Sequence, residues 1–99
     1  MALNKLQELM VITMEECGEL TQQCSKTIRK FDTIEQALED TEVAVRNRTK
    51  LLEEVGDVQC LIDLMVDCGL LTKEEINARI ASKRNKLKQR STLINGNES

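Results

Sequence analysis

An all-α fold is predicted by three features of this 99-residue chain. It has no proline and only four glycines, its apolar residues recur at three- and four-residue spacing, and Asn or Thr heads several of the recurring segments. A chain so poor in breakers lacks the tight turns that sandwiches and barrels require. The expected architecture is an antiparallel bundle of three main helices plus a short connecting helix. Residues 1–90 form the domain and 91–99 a flexible polar tail.

The first helix is predicted from about Lys5 to Lys30, with Asn4 as N-cap and Gln7 three residues on. Its expected buried stripe is Leu6, Met10, Met14, Cys17, Leu20, Cys24 and Ile28, extended by Phe31. Thr33, with Gln36 three residues later, caps a short helix. Residues 32–48 are otherwise polar and mixed in charge, which predicts a mobile connection. Leu51 to Val66 is apolar over more than one face and reads as a central helix ended by Gly69. Thr72-Lys73-Glu74-Glu75 is a capping-box pattern opening a last helix, with Ile76, Ile80 and Leu87 inward and an end near Arg90.

Composition narrows the chemistry. There is no histidine, which removes most triads and histidine-based metal sites. Cys17, Cys24, Cys60 and Cys68 lack Cys-x-x-Cys spacing and read as buried reduced thiols. No apolar run is long enough for a membrane span, and Met1 to Lys5 opens no signal or transit peptide, so a soluble, cytoplasmic protein is expected. Residues 1–71 carry 7 basic and 14 acidic side chains, whereas 72–90 carry 7 basic and 2 acidic. The acidic total disfavours nucleic acid as a partner, while the basic last helix suits a few phosphates. With Phe31 as the single aromatic residue the core is thin, which predicts a homo-oligomer, most simply a dimer and otherwise a tetramer.

The informative feature is an internal echo. Met14-Glu15-Glu16-Cys17-Gly18-Glu19-Leu20 returns as Leu52-Glu53-Glu54-Val55-Gly56-Asp57-Val58. Acids at i and i+3 project from one helix face, so Glu16 with Glu19 and Glu54 with Asp57 each form a two-carboxylate claw. Glu16 and Glu19 lie on the stripe running from Leu9 and Ile12 to Gln23 and Lys26; Glu54 and Asp57 lie on the one running from Leu51 to Leu61, Leu64 and Cys68. Facing carboxylates repel unless a cation or proton lies between them, which predicts a divalent metal. An all-oxygen donor set favours Mg²⁺, with Mn²⁺ as substitute, over zinc. Glu15 and Glu53 point about 100° away around their helices and are assigned to the surface or to a place beside the site. Gly18 and Gly56 cost about 1 kcal/mol each against alanine within a helix, which suggests close helix approach or room for a ligand.

The ordered pair Glu16-x-x-Glu19 and Glu54-x-x-Asp57 resembles the signature of the MazG-like all-α nucleoside triphosphate pyrophosphohydrolases. The resemblance spans residues 5–90 and is strongest over MEECGELTQQCSK (14–26) and LLEEVGDVQCLIDL (51–64). It implies a bundle completed by oligomerisation, with Glu16, Glu19, Glu54 and Asp57 as the catalytic residues that hold Mg²⁺ on a triphosphate. The implied reaction cleaves between the α and β phosphates to a monophosphate and pyrophosphate. Lys83 and Lys86, in the stretch Lys83-Arg84-Asn85-Lys86, resemble the basic end of the family's last helix, and Lys26 the basic position after its first motif; these are the implied phosphate contacts. The 34 residues between Glu19 and Glu54 exceed the connection of compact members. No residue is assigned to reading the base. Two other readings share these features: a phosphoribosyl-ATP pyrophosphohydrolase, and a helical interaction module that binds a partner protein without metal.

Overall fold

The computed structural model describes residues 2–94, and among them every regular element is a helix. The elements are α1 (Lys5–Lys30), α2 (Ile34–Ala37), α3 (Glu42–Asp67) and α4 (Lys73–Arg90). The chain falls into two units, Met1–Leu64 and Met65–Ser99.

Local chemistry sets most of the helix ends. Asn4 accepts from the Gln7 backbone at 2.8 Å and Gln7 returns the bond at 3.0 Å, so the predicted box closes in both directions. Thr33 caps α2 by accepting from Gln36 N at 3.1 Å. In the second unit, Thr72 and Glu75 form a reciprocal capping box at the head of α4. Gly69, with φ +85°, turns the chain out of α3, and Leu70 N donates to Met65 O at 3.0 Å. α4 ends at Arg90, and Ser91 N–H still donates to the Leu87 carbonyl. Of the tail predicted over 91–99, residues 91–94 are non-helical; residues 95–99 lie outside the described residues.

The 32–48 segment differs from expectation. α3 begins at Glu42 rather than near Leu51, since Thr41 Oγ1 accepts from Ala44 N at 3.1 Å and Thr41 O from Val45 N at 2.9 Å. The turn before it is tied down by Arg48, whose Nη1 donates to Ala37 O at 2.6 Å and Glu39 O at 3.1 Å. Those carbonyls close α2 and its following turn, so the guanidinium does the work of a C-cap.

Within the first unit, α1 and α3 are antiparallel. Glu16 meets Glu54, and Gln23 meets Asn47. The inward positions of α1 are Leu9, Thr13, Glu16, Leu20, Gln23 and Thr27; those of α3 are Ala44, Asn47, Leu51, Glu54, Val58 and Leu61. Both sets alternate steps of three and four, the spacing of a coiled-coil seam. The register puts Leu9 level with Leu61, Thr13 with Val58, Leu20 with Leu51 and Thr27 with Ala44. The seam hydroxyls are satisfied inside α1, Thr13 by Leu9 O at 2.7 Å and Thr27 by Gln23 O at 2.9 Å.

This seam corrects the predicted faces. The stripe expected to be buried on α1 is largely outside: Met14 is 71% and Ile28 76% exposed, and Leu6, Cys17 and Cys24 are exposed too. Leu20 alone belongs to both the stripe and the seam, with Met10 and Phe31 half-buried. On α3, Leu52 is 71% exposed and Val55 and Leu64 are also open, so this helix buries one face rather than several. On α4, Ile76 and Leu87 are half-buried while Ile80, expected inward, is exposed. All four cysteines are free and exposed, correcting the buried assignment. The physical reason is that hydrophobicity alone chose the faces, whereas the helices meet along a mixed seam with Gln23, Asn47 and Ala44 as its most buried residues.

Candidate metal centre

Two turns along the seam from the Gln23 and Asn47 layer, α1 and α3 bring their acidic motifs together. Glu16 and Glu54 hold seam positions and are half-buried, while Glu19 stands one turn on at the exposed edge. Carboxylate oxygens of Glu16, Glu19 and Glu54 all lie within 4.8 Å of one another. Asp57, the fourth predicted ligand, is exposed and lies outside that triad, although its charge acts on Glu16.

Glu16 is the most constrained member. Its Oε1 is buried and has no hydrogen-bond partner. Desolvation holds the Glu16 pKa above its ordinary value of 4.5, and the charges of Glu19, Asp57 and Glu54 push the same way. A cation among these oxygens would offset the same repulsion. The donor chemistry fits one: carboxylate oxygens from two helices, one of them buried and unsatisfied, suit a hard divalent ion such as Mg²⁺ or Mn²⁺.

A lysine that the motif reading passed over stands beside this cluster. Lys50 Nζ is 3.3 Å from Glu53 Oε1, one turn earlier on α3. That hydrogen bond raises the Lys50 pKa first, the charges of Glu53 and Glu54 next, and Glu19 last, with desolvation opposing. Glu53 pairs with Lys50 and is exposed on α3, and Glu15 is exposed on α1. The signal in the sequence was the i, i+3 spacing of Lys50 and Glu53.

The glycines of the two motifs are not explained by close packing. A Cβ at Gly18 or at Gly56 would meet no other heavy atom within 4 Å, so helix approach does not require them. Of the basic residues assigned to phosphate, Lys26 is exposed on α1, two turns beyond Glu19. Lys83 and Lys86 are exposed on α4 in the second unit. Lys83 borders a groove of about 480 Å³ formed with Leu71, Glu75, Ile76, Arg79 and Ile80. Among the described residues no helix is long and apolar enough to cross a membrane.

No family model matches this chain, and comparison with curated proteins and with solved structures gives no match either.

Proposed function

We propose that this protein is a Mg²⁺-dependent nucleoside triphosphate pyrophosphohydrolase that cleaves the α–β phosphoanhydride bond, adding water to give a nucleoside monophosphate and pyrophosphate. The observation that carries the reading is the buried, unpartnered Oε1 of Glu16 within a layer of acids drawn from two helices. Such an arrangement stabilises nothing by itself, because like charges are held together at partial burial. It becomes favourable once a divalent cation is shared among them. The motif resemblance to MazG-like enzymes supports the choice of substrate class.

In this reading Glu16 and Glu54 hold the ion from the seam, and Glu19 and Asp57 hold it from the open side. The ion, when bound, supplies charge neutralisation for the phosphates and Lewis acidity at the scissile bond. A carboxylate oxygen left free of it orients the attacking water and takes its proton. Lys83 and Lys86, with Lys26 from α1, meet the negative charge of the triphosphate and of the leaving pyrophosphate. Self-association, most simply to a dimer, is part of the proposal, and would cover apolar residues such as Met14, Ile28 and Leu52 that one chain leaves exposed.

The test is a panel of canonical and modified nucleoside triphosphates with Mg²⁺ or Mn²⁺, resolving mono- and diphosphate, pyrophosphate and orthophosphate. Monophosphate and pyrophosphate in equal amounts are expected for at least one substrate. A product mixture of diphosphate and orthophosphate, or no metal-dependent turnover across the panel, would exclude this activity.

A further inference from the structure

We propose that the buried amide pair Gln23 and Asn47 is a register lock, which selects the one alignment of α1 on α3 that brings Glu16 level with Glu54. The function assigned to the lock rests on the metal-centre reading; the alignment itself does not. Gln23 Nε2 donates to Asn47 Oδ1 at 3.0 Å, and the Thr27 hydroxyl lies 3.2 Å from the same oxygen. The two amides are among the most buried side chains described, at 4% and 2% exposure, in a molecule whose larger apolar residues are mostly outside.

Spacing gives the pair its meaning. Gln23 is seven residues from Glu16 on α1, and Asn47 is seven from Glu54 on α3, so the amide layer and the acid layer lie one heptad apart on both helices, roughly 10.5 Å. An apolar seam repeating every seven residues tolerates sliding by one heptad, because leucine meets a comparable neighbour in each alignment. This seam does not. A slip in one direction sets Gln23 against Glu54 and Glu16 against Leu61; the opposite slip sets Glu16 against Asn47 and Leu9 against Glu54. Each breaks the buried Gln23–Asn47 bond, leaves a carboxylate facing a leucine and separates the two acidic motifs. A buried amide pair adds little stability compared with a well-packed apolar pair, and its effect is to penalise the wrong partners. Gln23 and Asn47 are therefore positioning residues, acting on the acids through helix alignment.

Replacing both amides (Gln23→Leu with Asn47→Leu) separates this role from a merely structural one. Thr27 keeps the Gln23 carbonyl as acceptor, so the exchange strands no hydroxyl. The expected result is a helical protein with an unchanged or higher Tm whose Mn²⁺ affinity, measured by calorimetry on the full chain, falls at least tenfold. Methyl NOEs should report Leu20 against Leu51 and Leu9 against Leu61 in the wild type, and additional heptad-shifted contacts in the variant. The exchanged pair (Gln23→Asn with Asn47→Gln) restores the amide bond and should restore both affinity and the single set of NOEs; it also decides the matter if the leucine variant does not fold. Wild-type NOEs and unaltered Mn²⁺ affinity in the leucine variant would overturn the lock, as would failure of the exchanged pair to restore either. If the wild type itself binds no Mn²⁺, the metal reading fails, and the NOEs alone then decide whether the amides set the register.

Discussion

Lys50 reaches the Glu53 carboxylate at 3.3 Å from one turn earlier on α3, which places an ammonium beside the layer where Glu16, Glu19 and Glu54 converge. Both partners are more than half exposed, so the pair itself contributes little to stability. The same ammonium acts more weakly on Glu54 and Glu19, offsetting part of the repulsion among the acids. Lys50→Gln should therefore tighten Mg²⁺ binding by about two- to fivefold, because a repelling charge near a divalent ion is removed. Calorimetric titrations at low and high salt check this: the gain should shrink as salt rises, and weaker binding in the variant would rule out the electrostatic account.

Glu19 and Asp57 are exposed, so truncation removes a carboxylate without opening a cavity. Glu19→Ala and Asp57→Ala should each cost at least tenfold in turnover while leaving helicity intact, and the apo proteins should melt at or above the wild-type temperature because repulsion on Glu16 is relieved. Circular dichroism melts and a pyrophosphate-release assay measure the two effects. Near-wild-type activity in both variants would remove these acids from the site.

How much of this was legible beforehand depends on the range of the interaction. Asn4, Thr33, Thr72 and Gly69 act over three or four residues, so each of the boundaries they set could be read directly. The acidic echo was legible for the same reason, being two local motifs. Which face of α1 turns inward was not. Leu6, Met14 and Ile28 are more apolar than Thr13, Gln23 and Thr27, yet the latter face α3 because Asn47 Oδ1 and the Leu9 and Gln23 carbonyls accept from their polar groups. That compensation lies across two helices, beyond the reach of a hydrophobic periodicity. Residues 42–50 were misread on the same grounds: their burial comes through Ala44 and Asn47, one small and the other polar.

The basic residues of α4 are expected to act on substrate rather than on the ion. Four carboxylates outweigh the two charges of one Mg²⁺, so a triphosphate needs further cations on its approach. Lys83→Gln or Lys86→Gln should raise KM or lower kcat by about three- to tenfold while leaving Mg²⁺ affinity unchanged or slightly better. If both variants keep wild-type kinetics, α4 presents only a solvated basic face.

The apo protein should lose stability as pH rises, opposite to the usual behaviour of a paired carboxylate. Burial, followed by the charges of Glu19, Asp57 and Glu54, holds the folded-state pKa of Glu16 above its ordinary 4.5. Over that interval the folded chain binds more protons than the unfolded one, so unfolding becomes easier as they are lost. The contribution is complete below 4.5, declines as pH climbs through the raised value, and is constant above it. Mg²⁺ competes with the proton for the same oxygens, so its stabilising effect should grow over the same interval. Thermal melts between about pH 4 and pH 8, with and without Mg²⁺, should show the two curves diverging as pH increases. Glu16→Gln supplies the comparison, since the amide does not titrate: the apo decline due to this site should flatten, and the Mg²⁺-dependent separation should narrow. Other acids alter the slope of both proteins alike, so the difference between them isolates Glu16. Equal slopes in the wild type and the Gln variant would show that Glu16 takes up no extra proton on folding, and the repulsive cluster would then lose its energetic basis.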